Sequence, residues 1–112
     1  MGTQPPAPFV YVVWCEFAPG EDLPDWHRWY DEVHIPGMLS VPGISAVHRC
    51  QLLGRENQFL AIYDIESPAV FDHPRYAEVR GWGPWQGHIV SWSREVLSRT
   101  GAIGEATGRQ AT

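Results

Sequence analysis

The order of strand-forming and helix-forming segments is the feature that most constrains the fold of this chain. Runs rich in β-branched and aromatic residues predict strands at residues 9–17, 44–53, 58–66 and 88–97. A first helix is predicted at residues 24–34, and a second begins at Ser67-Pro68, is divided at His73-Pro74 and reaches Arg80. This β-α-β-β-α-β order predicts an α+β fold, with a four-stranded antiparallel sheet and two helices on one face.

At 112 residues the chain has room for one such domain, in the ferredoxin-like arrangement. We expect a flexible arm at residues 1–8, the folded domain at 9–99 and a loose tail at 100–112. The uncovered sheet face would present a large apolar surface, which a second copy of the chain would cover. The sequence therefore predicts a homodimer.

The first helix is predicted to be amphipathic. Its buried stripe follows helical spacing and consists of Trp26, Trp29, Tyr30 and Val33. Pro36-Gly37 is expected to end the helix, because proline disfavours helical geometry at the preceding residue. One further turn at Met38-Leu39 is compatible with the pattern.

Charge and composition exclude several functional classes. The formal net charge is −5, lysine is absent and the arginines are scattered singly. This pattern argues against a nucleic-acid partner or an anionic membrane surface. The N-terminal sequence does not resemble a signal peptide, no window is apolar enough to span a bilayer, and we expect a cytoplasmic protein.

Three segments resemble one superfamily. They are residues 29–36 (WYDEVHIP) on the first helix, residues 41–44 (VPGI) before the second strand, and residues 60–66 (LAIYDIE) on the third strand. With the order of elements, they resemble the dimeric α+β barrel superfamily and, within it, the EthD-like group. Relatives include isomerases, polyketide cyclases, lyases, cofactor-free monooxygenases and haem-degrading monooxygenases. The resemblance implies a cavity between sheet and helices that holds a small, often aromatic molecule.

His34 and Asp31 are the first catalytic candidates. His34 matches the helix histidine of the superfamily, and an imidazole can give or take a proton near neutral pH. Asp31 lies at the i, i+3 spacing from His34, where it would orient the ring. The alternative for His34 is a histidine that caps the helix end or bonds a backbone carbonyl, and the alternative for Asp31 is a solvated surface carboxylate.

Tyr63 and His48 are the second pair of catalytic candidates. Counting outward from the turn at Gly54 places them nearly opposite each other on paired strands. If both face the helices, they bring a phenol and an imidazole to the cavity floor. A shift of one residue in register would instead turn one of them towards the dimer interface or solvent.

Aromatic side chains supply the predicted binding surface. We expect Trp14, Trp26, Tyr30, Trp82 and Trp85 to form the walls of a flat apolar pocket, with His88 and Trp92 as further members on one face of the last strand. The loop from Trp82 to Trp85 would serve as a lid, or would simply pack on the second helix. His27, Asp31 and His34 lack the spacing of a known zinc helix, so no metal site is predicted.

The leading functional hypothesis is a small cofactor-independent enzyme. It would carry out acid–base isomerisation, cyclisation or lyase chemistry on an apolar cyclic or aromatic oxygenated molecule, and no cofactor is expected. One alternative is a monooxygenase, either cofactor-free or linked to haem. The other is a non-catalytic, ligand-binding or structural dimer whose aromatic residues are core.

Overall fold

A four-stranded antiparallel sheet forms one layer of the molecule in the computed structural model, which describes residues 7–101. Its strands are β1 (Phe9–Phe17), β2 (Ile44–Gln51), β3 (Gln58–Ile65) and β4 (Ile89–Ser98), in the spatial order β2-β3-β1-β4. Helical segments cover one face, and the fold is ferredoxin-like, as the order of elements predicted. The predicted arm and tail fall mainly outside the described residues. No helix within residues 7–101 has the length and apolarity needed to cross a membrane.

The helical layer consists of short pieces. The first run comprises α1 (Pro24–Trp29), a π-helical turn (Tyr30–His34) and α2 (Ile35–Leu39). The second comprises a 3-10 helix (Pro68–Asp72) and α3 (Pro74–Val79), and a further 3-10 helix (Gly83–His88) precedes β4. The predicted division of the second helix at His73 is confirmed, since the His73 imidazole accepts a hydrogen bond from the Arg75 N–H at 3.0 Å and caps α3.

The prediction that Pro36 ends the first helix is wrong, because the π turn carries the helix through the proline. The Ile35 N–H donates to the carbonyl of Tyr30, five residues earlier. This wider turn gives the proline ring room, and Pro36 then lies in the first turn of α2, where its missing N–H costs nothing. The helix continues to Leu39.

The same π turn changes which residues of the first helix are buried. The extra residue in the turn moves burial to every fourth position, at Trp26, Tyr30, His34 and Met38. Val33, predicted to be buried, is 57% exposed. The π turn therefore directs the His34 imidazole into the interior of the domain.

Alternation along the strands separates two faces of the sheet. Tyr11, Cys15 and Phe17 of β1 are buried under the helices, as are Phe59, Ala61, Tyr63 and Ile65 of β3. The intervening positions, such as Val12 and Ile62, point to the other face and are only partly buried. The core thus lies between the sheet and the helices, and the second face carries apolar side chains without a covering layer in the single chain.

Candidate functional site

A cavity of about 400 Å³ opens between the sheet and the helical layer. Its floor is formed by helix-facing residues of β1, β3 and β4, one wall by the first helix, and its rim by residues 80–86. This volume lies within the range of roughly 300–1,000 Å³ that is typical of small-molecule sites. Six tyrosine and tryptophan side chains contribute to the lining, together with polar side chains such as Arg80, Gln86 and Arg94.

Two buried tyrosines meet at the inner end of the cavity. Tyr30 comes from the π turn and Tyr63 from β3, and their phenolic oxygens lie 2.8 Å apart. Burial raises the pKa of Tyr30 to about 12 and that of Tyr63 further still. Both groups are therefore neutral near pH 7, and because one O–H donates within the pair, the other proton is available to a ligand oxygen.

His34 lies beside this pair and lines the cavity. Its ring stacks on Trp29 with centroids 5.1 Å apart and meets the Tyr30 ring edge-on at 4.8 Å. Burial lowers the pKa of His34 to about 4, although a hydrogen bond to the backbone carbonyl of Val79 acts in the opposite direction. The imidazole is thus neutral near pH 7, so one ring nitrogen carries a proton and the other is an acceptor.

Gly37 explains how Val79 comes within reach of His34. A Cβ added at Gly37 would lie 3.2 Å from the Val79 Cβ, so the glycine permits α2 and α3 to pack closely. This contact brings the end of α3 against the helix that carries His34. His34 does not cap a helix end, because the helix continues beyond the histidine. The other alternative, a histidine that bonds a backbone carbonyl, agrees with the effect of the Val79 carbonyl on its pKa.

Asp31 does not orient His34. Its carboxylate accepts a hydrogen bond from Arg49 at 2.9 Å, and its side chain is 59% exposed. Arg49 also hydrogen-bonds the His27 Nδ1 at 2.9 Å. Since a cation lies against both His27 and Asp31 while His34 points into the core, these three side chains do not converge on one point. Arg49 also covers the Tyr30 ring, 4.3 Å from its centroid.

His48 lies on the opposite face of the sheet from Tyr63. In the β2–β3 register His48 faces Ile62, and Val47 faces Tyr63. The register differs by one residue from the predicted one, because β2 ends at Gln51 and a longer connection leads into β3. His48 is exposed and does not contribute to the cavity.

Three of the predicted binding residues line the cavity, and one supports it. Tyr30, Trp82 and Trp92 are in the lining, with the two indole rings 5.5 Å apart. Trp26 is 1% exposed and packs behind Tyr30, so it is core and not a contact surface. Gly83 holds the loop next to Trp82 at a φ of 53°, and a Cβ there would lie 2.9 Å from the Trp29 ring.

The other predicted binding residues lie elsewhere. Trp14 is on the far face of the sheet, where its indole N–H donates to Gln58 at 3.1 Å, because it alternates with the cavity-facing residues of β1. His88 precedes β4 and does not share a strand face with Trp92; it contacts Glu21 at 3.3 Å. Trp85 packs near His88 with ring centroids 5.5 Å apart, outside the cavity.

The sequence analysis missed several lining residues. Tyr11 faces Tyr63 directly in the β1–β3 register, with ring centroids 5.5 Å apart. Arg94 lines the cavity together with Tyr11 and Tyr76. Alternation could have found two of them, since Tyr11 shares a face with buried Cys15, and Arg94 shares one with Trp92.

Comparison with known proteins supports the fold. No family model matches the sequence, and no curated protein matches it. A dimeric ferredoxin-like protein from an uncultured marine organism has a similar structure, with a TM-score of 0.68, 10% identity, and coverage of 88% of this chain and 92% of that one. The cofactor-independent oxygenase SnoaB from Streptomyces nogalater, in a mutant form, gives a TM-score of 0.67 and 9% identity, covering 87% of this chain and 97% of its own.

A monooxygenase from Streptomyces coelicolor, in complex with nanaomycin D, is also similar. Its TM-score is 0.62 with 15% identity, and the match covers 89% of this chain and 94% of that one. At these identities the likeness concerns the fold, and the function of this chain has to be argued from its own cavity.

Proposed function

We propose that this protein is a cofactor-independent enzyme that removes a proton from an aromatic ketone or phenol of several fused rings, and that molecular oxygen is its second substrate. The observation that carries the proposal is the pair of neutral phenols, 2.8 Å apart, beside a neutral imidazole in an aromatic cavity. This set of groups suits the conversion of a ring ketone into its enolate.

The tyrosine pair would stabilise the enolate oxygen. A ring ketone bound against Trp82 and Trp92 would direct its oxygen to the free phenolic proton of the Tyr30–Tyr63 pair. Negative charge developing on that oxygen strengthens its hydrogen bond to the buried tyrosine pair. Because both phenols have raised pKa values, they donate hydrogen bonds without losing their protons.

His34 would accept the proton. Its unprotonated nitrogen is the base in the cavity, and its pKa of about 4 keeps it ready to accept over most of the pH range. The same low pKa makes the imidazolium unstable, at about 1.4 kcal/mol for each pKa unit. Proton transfer to His34 therefore requires that the enolate is stabilised at the same time. The tyrosine pair would provide this stabilisation.

Reaction with oxygen is the favoured fate of the enolate. An activated CH₂ group and O₂ give a ketone and water, with one oxygen atom in each product, so no further reductant is required. The structural likeness to a cofactor-independent oxygenase and to a monooxygenase that binds nanaomycin D supports this branch over isomerisation, cyclisation or lyase cleavage. The same enolate, reprotonated at another carbon, would give an isomerase.

The active form would be a homodimer. On the uncovered sheet face Val12, Trp14, Leu60 and Ile62 are only partly buried in the single chain. A second copy would cover this apolar surface, and a dimeric protein of the same fold supports the arrangement. Light scattering on the purified protein would give twice the chain mass, and Val12→Arg would shift it towards the monomer.

Oxygen uptake with anthrone as the probe tests the proposal. We expect the wild type to consume oxygen above the spontaneous rate and to form anthraquinone with one atom of labelled oxygen, whereas His34→Gln is at least tenfold slower. An isomerised product without oxygen uptake would instead support the isomerase. Haem is titrated in parallel, and a Soret shift with haem-dependent turnover would replace the cofactor-independent proposal.

A further inference from the structure

Two arginines at the cavity lack the carboxylate partners that Arg28, Arg49, Arg75 and Arg99 have. Ion pairs at 2.8–3.3 Å join Arg28 to Asp25, Arg49 to Asp31, Arg75 to Glu78 and Arg99 to Asp64. Within residues 7–101 Arg55, Arg80 and Arg94 form no such pair, and of these three Arg80 and Arg94 line the 400 Å³ cavity. Two cations without an ion pair thus lie at one opening of a chain whose net charge is −5, and the Glu95 carboxylate at the adjoining recess pairs with neither of them.

Arg94 shares the cavity with tyrosine side chains. It lies opposite Val13 in the β1–β4 register, on the cavity side of the sheet, and lines the cavity together with Tyr11 and Tyr76. Burial raises the pKa of Tyr76, so this phenol is neutral near pH 7 and does not neutralise the guanidinium. Arg94 thus places a cation at the mouth of a cavity that is lined in part by aromatic side chains.

A second recess adjoins the first at this point. It measures about 320 Å³ and shares Tyr11, Tyr76, Arg80 and Arg94 with the main cavity. Arg80 and Arg94 therefore lie where the main cavity and the second recess meet. A ligand whose rings fill the main cavity could extend a substituent past these two arginines towards the second recess.

We propose that Arg80 and Arg94 form a binding subsite for a carboxylate group on the substrate. The inference rests on the proposed function and narrows it: the substrate is an aromatic acid of several fused rings. Its reacting carbon and oxygen lie at the Tyr30–Tyr63 pair, and its carboxylate lies at the rim.

The chemistry of the rim fits a carboxylate. A guanidinium binds a carboxylate through two parallel N–H donors, which fixes orientation as well as charge. Because Arg80 and Arg94 are exposed, a bound carboxylate keeps part of its hydration, and the cost of desolvation is small. The subsite would therefore select acids and set the direction in which the rings enter.

A matched pair of probes separates ring binding from acid binding. Anthraquinone-2-carboxylate and the uncharged 2-hydroxymethylanthraquinone share the same rings, and their affinities are measured by calorimetry at low salt. We expect the wild type to bind the acid at least tenfold more tightly than the alcohol.

Variants of the two arginines test the subsite. Arg94→Gln keeps an N–H donor but removes the charge, and it should abolish the preference for the acid without changing affinity for the alcohol. Arg80→Gln should reduce the preference for the acid. Arg55→Gln, at the distant β2–β3 connection, should preserve it.

The outcomes distinguish the two proposals. Equal binding of acid and alcohol by the wild type would overturn the carboxylate subsite. A preference for the acid that survives in Arg94→Gln would overturn it as well. In both cases the cavity would remain a binding site for the rings. Failure of both probes to bind would overturn the cavity as a site for fused rings, and the subsite with it. Loss of the acid preference in Arg55→Gln as well would show a general charge effect and would also overturn the subsite.

Discussion

The phenolic oxygen of Tyr30 lies 2.8 Å from that of Tyr63, although the two residues are 33 positions apart in the chain. One comes from the π turn of the first helix and the other from the centre of β3. Both are almost completely buried, so their hydrogen bond joins the helical layer to the sheet at the inner end of the cavity. This bond serves both the stability of the domain and the proposed chemistry.

Tyr63→Phe should reduce both stability and turnover. It leaves the Tyr30 hydroxyl buried without its partner, which costs about 1–3 kcal/mol of the free energy of unfolding. Turnover should fall about 100-fold, as expected for loss of a donor to a developing oxyanion. Urea denaturation and oxygen uptake measure the two effects.

A double-mutant cycle tests the hydrogen bond itself. The double variant Tyr30→Phe, Tyr63→Phe should lose less free energy of unfolding than the sum of the losses in the two single variants. Strict additivity would argue against the bond.

Stability should depend on pH through His34. The pKa of His34 is about 4 in the folded protein against an ordinary value of 6.5, so the unfolded chain binds the proton first as pH falls. The stabilisation is complete above about pH 6.5 and is lost as pH falls towards 4, a decrease of about 3 kcal/mol in the free energy of unfolding. Urea denaturation at several pH values measures this slope.

The slope should be smaller in His34→Gln, while His48→Gln, which changes an exposed histidine, should keep the wild-type slope. Equal slopes in His34→Gln and the wild type would show that the imidazole does not carry a lowered pKa.

Replacing Val33 should test the π turn. Because Val33 is 57% exposed, Val33→Glu should change the free energy of unfolding by no more than about 0.5 kcal/mol. Met38→Glu, at a buried position of the same helix, should destabilise by several kcal/mol. A large loss in Val33→Glu would indicate a regular α-helix with Val33 in its buried stripe.

Gly83→Ala should disturb the cavity rim. Gly83 has a φ of 53°, and a Cβ would lie 2.9 Å from the Trp29 ring that stacks on His34. We expect a loss of about 1–3 kcal/mol and a change in near-ultraviolet circular dichroism from the displaced indole. Gly87→Ala is the control, since its added Cβ meets nothing within 4 Å. Similar stability of the two variants would contradict the close contact.

The sequence predicted the order of elements because each strand and helix carries its own local pattern. The prediction was wrong where one extra or displaced residue changes which side chains of a helix or strand face the core. The π turn adds one residue to a helical repeat, so His34 is buried in place of Val33. The local sequence pattern does not predict that turn. The connection after Gln51 likewise shifts β2 by one residue and turns His48 away from Tyr63.

The candidate site was predicted only in part for a related reason. His34, Tyr30 and Tyr63 were identified one by one from residue type and resemblance, but the bond between the two tyrosines depends on tertiary packing. Arg49 was not assigned to Asp31, because an ion pair between residues 18 positions apart leaves no periodic signal. Trp14 was placed in the cavity on its aromatic character, whereas strand alternation assigns it to the other face.

Hydrogen–deuterium exchange at the CH₂ group of anthrone, followed by NMR in heavy water without oxygen, most directly tests whether the cavity forms an enolate. Removing oxygen isolates proton transfer from the later step. We predict that the wild type accelerates exchange at least tenfold over buffer, that His34→Gln and Tyr63→Phe each lose most of the acceleration, and that His48→Gln retains it. Exchange at the buffer rate with the wild type, while anthrone is bound, would contradict the assignment of His34 and the tyrosine pair to proton removal.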